Sequence, residues 1–165
     1  MPFLFEVGST MEKLAHNEIN SLPLFIVTGA AGGIGKAIAS EFAHSPHQYN
    51  AIFTVRNTEN SNTQPLRDIL VDCSKQYTIK SLELEKLNNI RSFAANVNHL
   101  VASGYYRPIR ALVLNARYMS RLGQRITEDG YEKHFQVNYL ANFLLVLLLL
   151  QSMDRENGRI VLISS

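Results

Sequence analysis

One cysteine, Cys73, in 165 residues excludes an intramolecular disulfide and any multi-cysteine metal site. Charge of either sign is in small excess only. The formal net charge is +2, too little to argue for a nucleic-acid partner. The longest apolar run, Phe143 to Leu150, is far short of a bilayer's thickness, so no transmembrane segment is expected. The N-terminus has Phe3-Leu4-Phe5 but no basic segment and no extended apolar core, so no signal peptide is expected either. Pro46 breaks any helix between His44 and His47, and that pair reads as a solvated loop, not as metal ligands. No internal repeat and no low-complexity tract interrupts the chain. What remains is 46% hydrophobic and 18% charged, the composition of a globular domain able to bury a sizeable core. A cytoplasmic location is expected.

Glycine is what the chain spends deliberately. Thr28-Gly29-Ala30-Ala31-Gly32-Gly33-Ile34-Gly35 follows the apolar run Leu24-Phe25-Ile26-Val27 and precedes the amphipathic set Ile34, Ala37, Ile38 and Phe42. That order reads strand, turn, helix. A turn without Cβ atoms brings backbone N–H groups close to a phosphate at the positive end of a helix. The spacing is Gly-x-x-x-Gly-x-Gly on Gly29, Gly33 and Gly35. It differs from G-x-G-x-x-G, and no Gly-Lys-Ser or Gly-Lys-Thr closes it as a P-loop would.

Around this turn the chain divides into an N-terminal extension, residues 1–22, and a domain, residues 23–165. In the extension, Ser9-x-x-Glu12 is a candidate capping box before Met11, Leu14, Ala15 and Ile19 on one helical face. In the domain, further strands are expected over Ala51–Val55, Tyr77–Leu82, Ile109–Leu114 and Arg159–Ile163. Helices are expected from Pro65 to about Ser74 and over the amphipathic set Leu87, Ile90, Phe93, Ala94, Val97, Leu100 and Val101, ended by Gly104. A last helix is expected from a Thr127 cap, with Glu128 and Asp129 in its first turn, to about Met153. Its second half is apolar nearly all round, which predicts cover on two sides. Strands alternating with helices predict an α/β fold, a doubly wound parallel sheet.

Such sheets bind ligands beyond the carboxyl ends of their strands. The glycine turn, Arg56, Glu83 and Asn115 all fall there, and together they outline a dinucleotide site. An acid at the end of the second strand would hold a ribose 2′-hydroxyl; an arginine suits a 2′-phosphate. Arg56 stands there with Asn57 beside it, and Asp and Glu are absent from Ala51 through Thr58. The expected cofactor is therefore NADP, with NAD less favoured. Arg117, Arg121 and Arg125 read as a solvated basic loop.

The chain resembles the short-chain dehydrogenases/reductases. The resemblance rests on the Thr28–Gly35 turn, Leu82-Glu83-Leu84, Asn115-Ala116, Thr127-Glu128-Asp129-Gly130-Tyr131-Glu132, Phe135-Gln136-Val137-Asn138 and Arg159-Ile160-Val161-Leu162-Ile163-Ser164-Ser165. These blocks stand in the family's order from Pro23 onward, most like its retinol-dehydrogenase and protochlorophyllide-reductase branches. The resemblance implies a Rossmann-type sheet and carbonyl/alcohol interconversion on a small, lipophilic substrate. It places Gly29, Gly33, Ile34 and Gly35 along the pyrophosphate and Glu83 near the adenine. It makes Asn115 and Ala116 part of the family's Asn-Asn-Ala-Gly, braced with Thr28. Asn138 is implied to hold a water of the proton relay, and Ser165, in preference to Ser164, to bond the substrate carbonyl.

Departures from the family are equally legible. Leu114 and Arg117 replace the outer residues of Asn-Asn-Ala-Gly, and no Tyr-x-x-x-Lys occurs in the chain. That pair supplies the family's proton, so no turnover is expected from this chain alone. Further strands and helices are expected after Ser165, so the sheet reads as truncated after its fifth strand, in a fragment or a truncated product. The last strand is then expected at an open edge, and the 131–153 helix as a surface for homo-oligomer formation. The alternative reading is a non-catalytic dinucleotide-binding or interaction protein.

Overall fold

The structure is a computed structural model that describes residues 22–121 and 123–164. The capping-box helix expected among residues 1–21, and Ser165, lie outside the described residues. The strands are β1 (Leu24–Val27), β2 (Asn50–Val55), β3 (Tyr77–Ser81), β4 (Ile109–Leu114) and β5 (Arg159–Leu162). They form one parallel sheet in the order β3-β2-β1-β4-β5. Helices α1 (Gly33–His44), α2 (Gln64–Leu70) and α3 (Leu87–Ala102) connect the first four strands, and α4 (Lys133–Ser152) leads to the fifth.

Alternation along each strand divides the core into two. Leu24, Ile26, Ile52, Leu112 and Leu114 face Ile90, Phe93, Ala94 and Val97 of α3 and Val137, Ala141, Leu145 and Leu149 of α4. Val27, Ala51, Phe53, Val55 and Val113 face Ala39 and Phe42 of α1 and Leu66 and Leu70 of α2. Burial on both faces is why the central strands β1, β2 and β4 read as short, mainly apolar runs. α3 carries the amphipathic face that its spacing predicts, and Gly104, at φ +76°, takes the left-handed position just past its end.

The last helix starts later than its sequence suggests. Thr127 does not cap it. The chain turns back at Gly130 (φ +84°), with the Gly130 N–H donating to the Thr127 carbonyl and the Thr127 N–H to that of Tyr131. The cap is Glu132, whose Oε2 accepts the Phe135 N–H at 2.8 Å. Asp129 serves a different helix: its Oδ2 accepts the Leu87 N–H at the start of α3 and the Gln136 Nε2, each at 2.8 Å. From Lys133–Phe135, α4 widens to a π-turn over Gln136–Leu140, returns to α-geometry over Ala141–Leu149 and closes as a 3-10 turn at Leu150–Ser152.

By length and composition alone, Lys133–Ser152 is long and apolar enough to cross a membrane. Here it is a core helix on one side. Ala141, Leu145 and Leu149 are buried against the sheet and α3, whereas Phe143, Leu147 and Leu150 are each at least half exposed. Cover on two sides, expected from the apolar circumference, is not what the structure shows. All four residues of β5 are also exposed, at the sheet's edge.

The Glu132 cap gives α4 a pH-sensitive start. Hydrogen bonds from His134, then from the Phe135 and His134 N–H groups, pull the Glu132 carboxyl from 4.5 down to about 2. A depressed pKa in the folded state stabilises the fold above 4.5, and that contribution is lost as pH falls from 4.5 towards 2. Denaturant titrations at both ends of that window should show a smaller acid-induced loss for Glu132→Gln than for the unmodified chain.

Candidate active site: a dinucleotide cleft

β1 has β2 on one side and β4 on the other, so the connections leaving it diverge and open a crevice at its carboxyl end. The crevice is a cleft of about 540 Å³. Its floor is the glycine turn. Gly29 takes φ +64°, and a Cβ there would stand 2.7 Å from the Ala116 Cα. A Cβ on Gly35 would stand 2.5 Å from the Gly29 carbonyl oxygen. Gly29 therefore lets the turn pack against the chain leaving β4, and Gly35 lets α1 pack against the turn. Gly33 is different, because a Cβ there would meet nothing within 4 Å. It faces the open cleft.

The turn is fastened to the next strand by a closed set of hydrogen bonds. Thr28 is fully buried, and its Oγ1 accepts the N–H groups of both Asn115 and Ala116 at 3.0 Å. The Asn115 Nδ2 donates back to the Thr28 and Gly29 carbonyls, also at 3.0 Å. The end of β4 is thus held against the end of β1 without the first Asn of the family motif, whose place Leu114 takes.

Gly29, Gly33, Ile34, Arg56, Asn115 and Ala116 all line the cleft. Asn57 lines an adjoining polar hollow of about 490 Å³, together with Lys36 and again Arg56. Glu83 lies off the cleft wall: its carboxylate pairs with Lys86 at 3.3 Å, raising the Lys86 pKa, and its N–H donates to Asn89. Asn138 sits in the π-turn of α4. Its Oδ1 accepts the Tyr118 N–H at 2.8 Å and its Nδ2 donates to the Tyr118 carbonyl at 2.9 Å, which braces the loop after β4. Its own carbonyl accepts the Asn142 Nδ2 at 3.1 Å. Of the serine pair, Ser164 lines the cleft and Ser165 lies outside the described residues.

Glu85, Val137 and Arg117 also line the cleft. Glu85 is the residue that sequence reasoning missed; it lies in the turn after β3, whereas Arg56 directly follows β2. Its carboxylate stands 2.7 Å from the Lys133 Nζ and 3.7 Å from the Arg56 Nη2.

A dinucleotide's diphosphate fits what is there. α1 has no side-chain cap at Gly32 and no acidic residue in its first turn. Its leading N–H groups, which no intrahelical carbonyl can satisfy, therefore meet no competing carboxylate from α1 itself. The open space above Gly33 would admit phosphates to them.

Comparison with known proteins agrees with this geometry. The family model described as short chain dehydrogenase matches residues 24–165. A protein named short-chain dehydrogenase iccH, from Talaromyces variabilis, is 40% identical over 89% of this chain and 42% of its own length. Human retinol dehydrogenase 13 is 35% identical over 85% of this chain and 40% of its own. The chain therefore spans about two fifths of the length of these curated relatives. A metagenomic short-chain oxidoreductase, crystallised in complex with NADP, superposes with a TM-score of 0.70 at 26% identity, covering 89% of this chain and 63% of that one. A five-stranded parallel sheet, a glycine turn under an open cleft and a family match across nearly the whole described chain lead to one conclusion: the chain belongs to the short-chain dehydrogenase family.

Proposed function

We propose that the cleft binds NADP in preference to NAD, and that the whole protein uses it to interconvert a carbonyl and an alcohol on a small lipophilic substrate. The observation that carries the cofactor reading is Arg56 at the carboxyl end of β2, its side chain 65% exposed between the cleft and the adjoining hollow. A guanidinium there offers charge and several donors to a 2′-phosphate. The NADP complex of the structural relative supports the same reading. When bound, the nicotinamide supplies or accepts the hydride. The residues of this chain bind and orient it: Gly33 and Ile34 under the diphosphate, Asn115 and Ala116 along the wall, and Ser164 or Ser165 towards the substrate.

The second reading is that this chain serves as a dinucleotide-binding module, and it rests on the same cleft. Both readings require the cleft to bind. Calorimetric titration of NADPH and NADH into the chain tests it. Arg56→Ala should weaken NADPH by roughly ten- to a hundredfold, the worth of charge-assisted hydrogen bonds, and leave NADH within about twofold. Tighter binding of NADH to the unmodified chain would overturn the preference.

Self-association along α4 belongs to the same proposal. Tyr131, Phe135, Tyr139 and Phe143 form a ladder of neighbouring rings with centroids 5.6 to 6.4 Å apart, and Leu147 and Leu150 continue the exposed stripe. Sedimentation velocity should show a dimer that Phe143→Glu disperses. A cytoplasmic location is proposed with it; the single cysteine is compatible with a reducing compartment.

A further inference from the structure

Arg56 does not face the cleft alone. Glu85 lies in the turn after β3, the strand beside β2, and its carboxylate stands 3.7 Å from the Arg56 Nη2. The two partners are held very differently. The Arg56 side chain is 65% exposed, while those of Glu85 and Lys133 are 23% and 15% exposed. Lys133 grips Glu85 at 2.7 Å and lies 4.3 Å above the Tyr118 ring. Lys133 is also the first residue of α4, where the helix dipole disfavours a cation. The Glu85 carboxylate offsets that cost, so it has a reason to stay where it is. The exposed member of the group is the Arg56 side chain, and the member held between two cations is an anion on the cleft wall.

We propose that Glu85 is a specificity-determining residue: anchored by Lys133, its carboxylate competes with the ligand's 2′-phosphate for Arg56 and narrows the preference for NADP over NAD. The proposal rests on the NADP reading above. The 2′-phosphate must draw Arg56 away from a carboxylate already beside it. NAD carries a 2′-hydroxyl at that position and does not compete for the guanidinium. The preference is therefore a difference between two attractions to one arginine, not the full strength of the arginine–phosphate bond.

Glu85→Gln tests this. Glutamine keeps an oxygen for the Lys133 ammonium and removes the charge that holds Arg56. The readout is the ratio of the NADH and NADPH dissociation constants, both measured by calorimetry on one preparation, so an unfolded fraction cancels. The expected result is a ratio about tenfold higher in Glu85→Gln, through tighter NADPH with NADH changed less than twofold. In an Arg56→Ala background the same substitution should leave the ratio within twofold. An unchanged or smaller ratio in Glu85→Gln overturns the proposal. A ratio that still rises tenfold without Arg56 overturns competition for the arginine. If the unmodified chain binds neither dinucleotide, or if Arg56→Ala leaves NADPH unaffected, the underlying cofactor reading fails instead. The two failures are therefore distinguishable.

Discussion

Gly33→Asp should fold as well as the unmodified chain and lose NADPH by about a hundredfold or more. A Cβ at Gly33 meets nothing within 4 Å, so the side chain fits the protein. An aspartate in the first turn of a helix is favoured by the dipole, by roughly 0.5 kcal/mol. The same carboxylate occupies the space over the leading N–H groups and repels a diphosphate. Gly35→Ala, two residues on, should do the reverse. Its new methyl would stand 2.5 Å from the Gly29 carbonyl oxygen and 2.6 Å from the Ala30 Cα. Both obstacles are backbone, which cannot swing aside, so the expected cost is roughly 3 kcal/mol of stability. Denaturant midpoints and NADPH titrations on the two variants separate the roles. Equal loss of stability in both would show that Gly33 is also a packing glycine, and retained binding by Gly33→Asp would remove the diphosphate from this turn.

The second large effect lies one step back along the chain. Thr28→Val should destabilise the fold by about 2–4 kcal/mol, because it leaves the N–H groups of Asn115 and Ala116 without their shared acceptor. Valine matches threonine in shape, so no cavity contributes. Thr28→Ser should recover most of the loss. Binding should fall with Thr28→Val even in conditions where it remains folded, since the same hydroxyl holds the β4 wall of the cleft against the glycine turn. Urea unfolding of the three proteins, followed by NADPH titration below the unfolding transition, checks both halves. Equal stability of the valine variant would mean that the two N–H groups find other acceptors.

Both effects concern a turn that was legible in the sequence, and the reason is local. A strand followed by glycines and an amphipathic helix needs no distant partner to be recognised, because the apolar spacing and the missing Cβ atoms are properties of consecutive residues. α3 was legible for the same reason. The start of α4 was not. Thr127 and Glu132 each offer a side-chain oxygen near a helix start, and local pattern alone prefers threonine as the cap. What decides is the reversal at Gly130, paired across Ile126 and Glu132, which turns the Thr127 hydroxyl to Gln136 and brings Asp129 to the first N–H of α3.

The sequence by itself determined the alternation of strands and helices, the glycine turn and the arginine at the end of β2, and its ordered motif blocks pointed to the family. Only the tertiary structure decided that Glu83 turns to Lys86 while Glu85 lines the cleft, that Asn138 clamps Tyr118, and that the Lys75 ammonium caps the end of α1 at the Phe42 and Ser45 carbonyls. It also decided which side of α4 is covered. The physical reason is range. Periodicity and backbone freedom act within a turn or two of the chain, whereas ion pairs, caps between helices and cleft walls depend on the order in which strands line up, and that order is settled by the packing of the whole sheet.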